Sequence, residues 1–230
     1  MPEPTSGSLR RQPQPTPKEL LMHLILERGY RPGDPLPTEA ELSAELNLGR
    51  SSVREGMRAL ESLGIVRARQ GVGSTLEETS LDGFTDGILF WSRMRRRDGS
   101  GSLRAITEVR EALETGLIRA AVAAATEESI ATMRECVDRM RAAAAGGEYA
   151  PDADTAFHRA LYAPLDNWIL DSLIVAFWKV HALAADTEDG PLGTPAEIAD
   201  IHVGIVEAIE TQDVDAARAA MLRHFHLPVL

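Results

Sequence analysis

Residues 48–66 read LGRSSVREGMRALESLGIV and combine two patterns in one predicted helix. Apolar residues recur every three or four positions, as in a helix that packs on a core; they are Val53, Met57, Leu60 and Leu63. The opposite side carries hydroxyls and arginines: Arg50, Ser51, Ser52, Arg54 and Arg58. Residues four apart are turned by only about 40° around a helix axis, so the arginines form one cationic stripe.

Signals before this helix predict two more helices and a tight turn. The first helix covers 17–29, and the second begins at Thr38, where Glu41 three residues later completes a capping box. A turn over 47–49 then leads into the arginine-bearing helix, with Gly49 in place of a hydroxyl cap. Two helices joined by so short a turn predict a helix-turn-helix.

A hairpin is predicted directly after these helices. Residues 65–76, IVRARQGVGSTL, hold two β-branched segments around a glycine-containing turn. Arg67 and Arg69 share one strand face, and Gly71 gives a tip slim enough for the minor groove of DNA. The second helix of such a motif enters the major groove, where the planar fork of arginine can bond phosphate or guanine twice. The order of elements predicts a winged helix-turn-helix that binds double-stranded DNA, although each arginine alone would fit an ordinary solvated surface.

Composition and charge agree with a DNA-binding module on a helical protein. The 230 residues carry a net charge of −11, but residues 1–78 hold 10 Lys and Arg against 11 Asp and Glu, so this part can present a cationic face. Few aromatics (5%) and abundant alanine favour packed helices over sheets. The single Cys136 excludes an internal disulfide, and no targeting or membrane-spanning stretch is found, so a cytoplasmic protein is expected.

The predicted fold is mainly α and has four segments. A flexible tail covers 1–15, the winged helix-turn-helix covers 16–78, and a linker with a connecting helix covers 79–102. Residues 103–230 have helical periodicity almost throughout and predict an all-α bundle of six or seven helices.

Four polar residues are predicted to face the core of this bundle. Asp154 and His158 lie four apart on one helix face, while His202 and His224 each continue the apolar stripe of another helix. Burying this much polarity is costly, and one divalent ion would satisfy all four. The donors suit Zn²⁺ first, with Ni²⁺, Mn²⁺ and Fe²⁺ as alternatives, and the lack of a thiolate argues against a closed structural zinc site. For a single histidine a hydrogen-bonded core residue is the alternative, which is the interpretation kept for His23 and His226.

Arg110 is the predicted binding residue for a small organic acid. It borders a predicted apolar stripe of Ile106, Val109, Leu113 and Leu117. Its guanidinium could hold a carboxylate that also reaches the ion, or it could simply pair with Glu114 four residues later. Trp178 and His181 are predicted to line the same cavity.

The first third of the chain also resembles a known family. PLPTEAELSAELNLGRSSVREGMRALESLGIVRARQGVGSTL is similar to the winged helix-turn-helix of GntR-type transcription regulators, over residues 17–77. The resemblance implies DNA contacts at Arg50, Ser51, Ser52, Arg54 and Gly71. Members often have an arginine where this chain has Ala40, so one expected contact is missing and the operator sequence cannot be copied from a relative.

The rest of the chain resembles the all-helical effector domain of the FadR branch of these regulators, called FCD. The resemblance covers residues 103–226 and rests on DTAFHRAL and IHVGIVEAIETQDVDAARAAMLRHF. Metal-containing members place their ligands at positions that match Asp154, His158, His202 and His224. Some members lack the metal and bind fatty acyl thioesters, and the four retained ligands argue against that subtype here.

These interpretations together predict a metal-containing transcription regulator whose affinity for its operator changes with a small carboxylate. A homodimer is expected because two-fold symmetric operators pair with two-fold symmetric proteins. A metalloenzyme with an attached DNA-binding module is the alternative, since three histidines and one aspartate could activate water. Neither a separate general base nor a nucleophile motif supports that alternative, and a purely architectural DNA protein would leave the buried polar residues unexplained.

Overall fold

The computed structural model describes residues 14–69, 71, 73–78, 81–97, 104–184 and 193–226, without the side chains of 96, 97 and 181–184. Nearly all of the predicted tail over 1–15 lies outside this range. The chain divides into two compact units, Met1–Ser80 and Leu81–Leu230. Among the described helices, none is long and apolar enough to cross a membrane.

The first unit contains three helices and a two-stranded antiparallel hairpin. The elements are α1 (Pro17–Glu27), α2 (Glu39–Leu46), α3 (Arg50–Ser62), β1 (Val66–Arg69) and β2 (Gly73–Leu76). Thr38 caps α2 as predicted, since its hydroxyl accepts from the Glu41 amide and the Glu41 carboxylate accepts from the Thr38 amide. Asn47 ends α2 in the left-handed conformation, and Gly49 begins α3 without a side-chain cap. The predicted winged helix-turn-helix is therefore confirmed.

One residue of the predicted apolar stripe on α3 lies elsewhere. Val53 and Leu60 are fully buried and Met57 nearly so, but Leu63 is 46% exposed. The chain leaves the helix at Leu63 and turns through Gly64 with φ +70°, so Ile65 packs against the core in its place.

Gly56 permits the close packing of α3 on α1. A Cβ at this position would lie 2.6 Å from Leu21 Cδ1 and 3.1 Å from the Pro17 carbonyl carbon. Gly56→Ala is expected to destabilise the first unit by up to about 2 kcal/mol, because an overpacking cost of about 1–3 kcal/mol outweighs the helix preference of alanine, about 1 kcal/mol. Thermal unfolding tests this, with Gly116→Ala as the control, since that glycine lies in a helix with nothing within 4 Å of the added carbon. A more stable Gly56→Ala protein would contradict the close approach.

The described residues of the second unit form seven α-helices, six of which lie within the predicted bundle over 103–230. They are α4 (Asp82–Arg97), α5 (Arg104–Ala124), α6 (Glu127–Ala145), α7 (Pro151–Tyr162), α8 (Trp168–Ala184), α9 (Pro195–Glu210) and α10 (Val214–Phe225). A 3-10 turn at Ala163–Leu165 joins α7 to the loop before α8. Helix α6 packs on α7 and α9, and α10 packs on α5 and α9. The helix assigned to the connection, α4, packs on α8.

The core of this unit surrounds a small polar region. Phe157, Ile205 and Met221 are at most 1% exposed and come from α7, α9 and α10, which also supply polar residues to the interior. The buried face of α5 differs from its predicted stripe, because Val109 is 54% exposed whereas Arg110 and Glu114 are buried. Charged residues can lie on the buried face of a helix when they neutralise one another. The prediction considered only apolar residues, so it placed the buried face of α5 on the wrong side of the helix.

Candidate functional site

The arginine face of the first unit, defined as Arg50, Ser51, Ser52, Arg54 and Arg58, lies on α3. All three arginines are exposed. Among the described residues, Arg50 and Arg58 have no hydrogen-bond or ion-pair partner. Exposed arginines whose N–H groups have no partner can contact the phosphate groups of a nucleic acid.

Arg54 differs from its neighbours because it is already bonded. Its Nε lies 3.2 and 3.1 Å from the two oxygens of Glu39 on α2, and its Nη2 lies 2.9 Å from Oε2. These hydrogen bonds lower the pKa of Glu39, and Arg58 and Arg50 lower it further. The pair holds the Arg54 fork in one orientation.

The wing presents two arginines of unequal availability. Arg67 is paired with Glu77, with Nη2 2.8 Å from Oε2. Arg69 is exposed and has no such partner in the described part of the chain. Gly71, between the two strands, has φ +79°, and a Cβ built there meets nothing within 4 Å.

A compact polar cluster lies inside the second unit. Asp154 and His158 come from α7, His202 from α9 and His224 from α10, and one donor atom from each lies within 4.8 Å of the others. The first three are at most 1% exposed and His224 is 9% exposed. These are the four residues that the sequence singled out.

Two histidines of the cluster, His202 and His158, are oriented by a hydrogen bond at Nδ1. His202 Nδ1 lies 2.7 Å from the Ile198 carbonyl oxygen and donates to it, which leaves Nε2 facing Asp154 Oδ1 at 3.1 Å. His158 Nδ1 is hydrogen-bonded to Glu114, and its Nε2 lies 3.3 Å from the same Asp154 oxygen. This is the arrangement in which histidines present Nε2 to a metal ion.

Asp154 is held in turn by Tyr149, whose hydroxyl donates to Oδ2 over 2.8 Å. Burial opposes the charged form of Asp154, but His202 and His158 outweigh it and hold the pKa of this carboxyl well below its usual range. Burial also works against a charged His158, but Glu114 and Asp154 raise its pKa to about 9. A metal ion bound at Nε2 would have to displace that proton.

His224 has a different environment. Its Nδ1 is buried and has no hydrogen-bond partner among the described residues. Burial, followed by the neighbouring His202 and His158, holds the pKa of His224 well below its usual range, so the ring is neutral. His224 therefore offers a neutral imidazole with an unsatisfied buried nitrogen, and it lies beside two oriented histidines and a carboxylate. This set of side chains fits a divalent ion that prefers nitrogen and oxygen ligands.

Arg110, the predicted carboxylate clamp, lies next to this cluster and is 4% exposed. Its Nε donates to Glu114 Oε1 over 3.2 Å, which is the pairing that the sequence left as the alternative. Its Cζ lies 4.2 Å from the ring centre of Trp178 and 5.3 Å from that of Phe225. Nη2 is also 3.2 Å from Oε1, but it makes no hydrogen bond to a described residue.

The other predicted residues are placed as follows. Trp178 is 5% exposed, and its ring centre lies 5.6 Å from that of His158. The side chain of His181, on α8, lies outside the described residues. The prediction that His23 and His226 are core residues is wrong, because both are exposed and pair with Glu27 and Glu111, respectively.

Two residues of the cluster's surroundings were missed in the sequence. Tyr149 precedes α7 and carries no periodic signal, so only the fold places it on Asp154. Glu114 was considered only as a partner for Arg110, yet it also bonds His158. Burial disfavours a charged Glu114, but His158 and Arg110 outweigh that effect and lower its pKa.

Comparison with known proteins covers both units. Residues 18–76 match the bacterial regulatory proteins of the gntR family, and residues 105–227 match the FCD domain. The chain is 31% identical over 214 residues to the HTH-type transcriptional repressor NanR of Cronobacter sakazakii, covering 91% of this chain and 81% of that protein. It is 28% identical over 200 residues to the galactonate operon transcriptional repressor of Escherichia coli, covering 86% and 87%.

A solved structure shares the fold. It is the GntR protein of Streptococcus agalactiae, which aligns with a TM-score of 0.67 at 26% identity, covering 91% of this chain and 95% of that one.

Proposed function

We propose, from the premise that this chain belongs to the gntR family of bacterial regulatory proteins and carries an FCD domain, that it is a transcriptional repressor controlled by a small carboxylate bound beside a divalent ion. The observation that carries the proposal is the buried cluster of Asp154, His158, His202 and His224 next to Arg110. Repression is supported by the names of two relatives.

The four cluster residues would hold the ion. Ligands about 2.0–2.2 Å from an ion lie no more than about 4.4 Å apart, so donors spread over 4.8 Å need to close by at least about 0.4 Å, and by more around a tetrahedral ion. Three imidazoles and a carboxylate favour Zn²⁺, and Ni²⁺, Mn²⁺ or Fe²⁺ are compatible with the same donors. A bound ion would supply a positive centre that attracts a carboxylate oxygen.

Arg110 would supply the second contact for the acid. Its unused Nη2 can donate to one carboxylate oxygen while the other oxygen approaches the cluster, in a charge-assisted hydrogen bond. The Trp178 ring centre lies 4.2 Å from the guanidinium carbon, within the range of a cation–π contact. The name of one relative refers to galactonate, which is itself a carboxylate.

Control of DNA binding would follow from linkage. We take the protein to be a cytoplasmic homodimer, since two-fold operators match two-fold proteins. An acid that binds one arrangement of the two DNA-binding units better than another shifts the population and so changes operator affinity.

The experiment that tests this function uses the purified full chain. Elemental analysis should find about one divalent ion per chain, and sugar or hydroxy acids should change the affinity for a duplex from upstream of its own gene by about 5- to 150-fold. A metal-replete preparation without ion that ignores every acid would overturn the proposal. Consumption of an acid by the purified protein would instead favour the metalloenzyme.

The DNA contacts are expected to divide into specific and nonspecific ones. Arg54→Ala should lower affinity for the operator by about 1–3 kcal/mol if its fork reads a base. Arg69→Ala should weaken all sequences alike and reduce the salt slope by about one unit, since it would meet a phosphate. Arg67→Ala is the control for Arg69→Ala, because Arg67 lies on the same strand as Arg69 but is already paired with Glu77. If Arg54→Ala and Arg69→Ala both bind DNA like the unmodified chain at matched salt, the assignment of α3 and the hairpin to DNA binding is wrong.

A further inference from the structure

Glu114 lies between the residues assigned to the acid and those assigned to the ion. It comes from α5, one turn after Arg110, and is 1% exposed. Its Oε1 accepts a hydrogen bond from Arg110 Nε over 3.2 Å, and its Oε2 is bonded to His158 Nδ1. Because each oxygen has a separate partner, the carboxylate is fixed in one orientation.

We propose that Glu114 is a positioning residue that keeps His158 in the ring form able to bind the ion, an inference that rests on the metal site proposed above. A carboxylate can only accept hydrogen bonds, so His158 Nδ1 must donate to it and Nε2 is the nitrogen left for coordination. Nε2 is also the atom that faces Asp154 Oδ1 at 3.3 Å, and it makes no hydrogen bond to a described residue. Carboxylates in this position orient metal-binding histidines and increase their basicity.

Arg110 determines which end of the side-chain amide would face His158 if Glu114 were replaced by glutamine. In a Glu114→Gln variant the amide must turn its carbonyl oxygen toward Arg110, because a guanidinium can only donate. The amide NH₂ group then faces His158, and Nδ1 has to accept. The hydrogen of the neutral ring moves to Nε2, where it blocks coordination. The substitution keeps the size of the side chain, but it removes the negative charge that pairs with Arg110 and changes which nitrogen of His158 is free.

Zinc affinity and the NMR signature of the histidine ring test this role. In a competition with a chromophoric chelator, Glu114→Gln should bind Zn²⁺ about 10- to 100-fold more weakly than the unmodified chain. Long-range ¹H–¹⁵N spectra of the zinc-loaded unmodified protein should show hydrogen on His158 Nδ1 and the ion on Nε2. The control is Tyr162→Phe, which removes a buried hydrogen bond of 2.9 Å to the Glu114 carbonyl oxygen and leaves the carboxylate untouched. Its zinc affinity should equal that of the unmodified chain.

The outcomes separate this inference from the function on which it rests. An unmodified chain that binds no Zn²⁺ would overturn both. Unmodified protein in which His158 binds through Nδ1, or a Glu114→Gln protein that binds Zn²⁺ as tightly as the unmodified chain, would overturn the role of Glu114 and leave the metal site standing. The NMR measurement needs no variant, so it decides the question even if Glu114→Gln does not fold.

Discussion

The His202→Ala variant is expected to be purified almost free of divalent ion, whereas the unmodified chain carries about one. His202 is fully buried, its Nδ1 is held by the Ile198 carbonyl, and its Nε2 lies 3.1 Å from Asp154 Oδ1, so alanine removes a preoriented donor. Losing an orienting partner alone typically costs 10- to 100-fold in metal affinity, or roughly 1.4–2.8 kcal/mol. Losing the ligand itself should cost more than that.

Elemental analysis measures this loss, and thermal unfolding measures its consequence. An ion at about 1,000 times its Kd stabilises the folded state by about 4 kcal/mol, so a chelator should lower the Tm of the unmodified chain by roughly 10 °C. The same chelator should leave His202→Ala unchanged, because no ion remains to be removed. His226→Ala is the control, since that histidine is exposed beside Glu111. Retention of a full ion by His202→Ala would mean that His202 is not a ligand of the ion.

The elements and the cluster could be predicted because their signals are local or periodic. Thr38 and Glu41 define the start of α2 within four residues, and the spacing of Asp154 and His158 places both on one face of α7. The sequence could not show that α7, α9 and α10 meet at one point, but three inward polar stripes in a helical bundle leave few other arrangements.

What could not be predicted depends on contacts between elements. Whether Arg110 faces the core depends on Glu114 and on Trp178 of α8, and Glu114 depends on His158 of α7. An apolar stripe assigns such residues to the surface, because it scores each charge alone and not the neutralised pair. The same limit applies to Glu39, since its bond to Arg54 on α3 exists only after α2 and α3 have docked.

Arg110→Lys is expected to abolish most of the response of DNA affinity to the acid. Lysine keeps a positive charge for Glu114 but presents a single ammonium in place of a planar fork, so it cannot bond Glu114 and a ligand in the same geometry. Losing a charged hydrogen bond to the acid should weaken its binding by about 1.5–3 kcal/mol, or roughly 10- to 150-fold. A titration of the acid against the complex of protein and operator measures the response, and Arg119→Lys, an exposed position on the same helix, is the control.

The Arg110→Lys variant separates two roles of Arg110, binding the acid and neutralising Glu114, better than Arg110→Ala does. Arg110→Ala would leave the buried Glu114 without its cation, and breaking such a pair costs about 3–5 kcal/mol, so a lost response could reflect a damaged fold. In Arg110→Lys the pairing persists, and the ion content and the DNA affinity without acid should stay close to those of the unmodified chain. If this variant still responds normally to the acid, Arg110 does not bind the ligand and its function is to neutralise Glu114 beside His158.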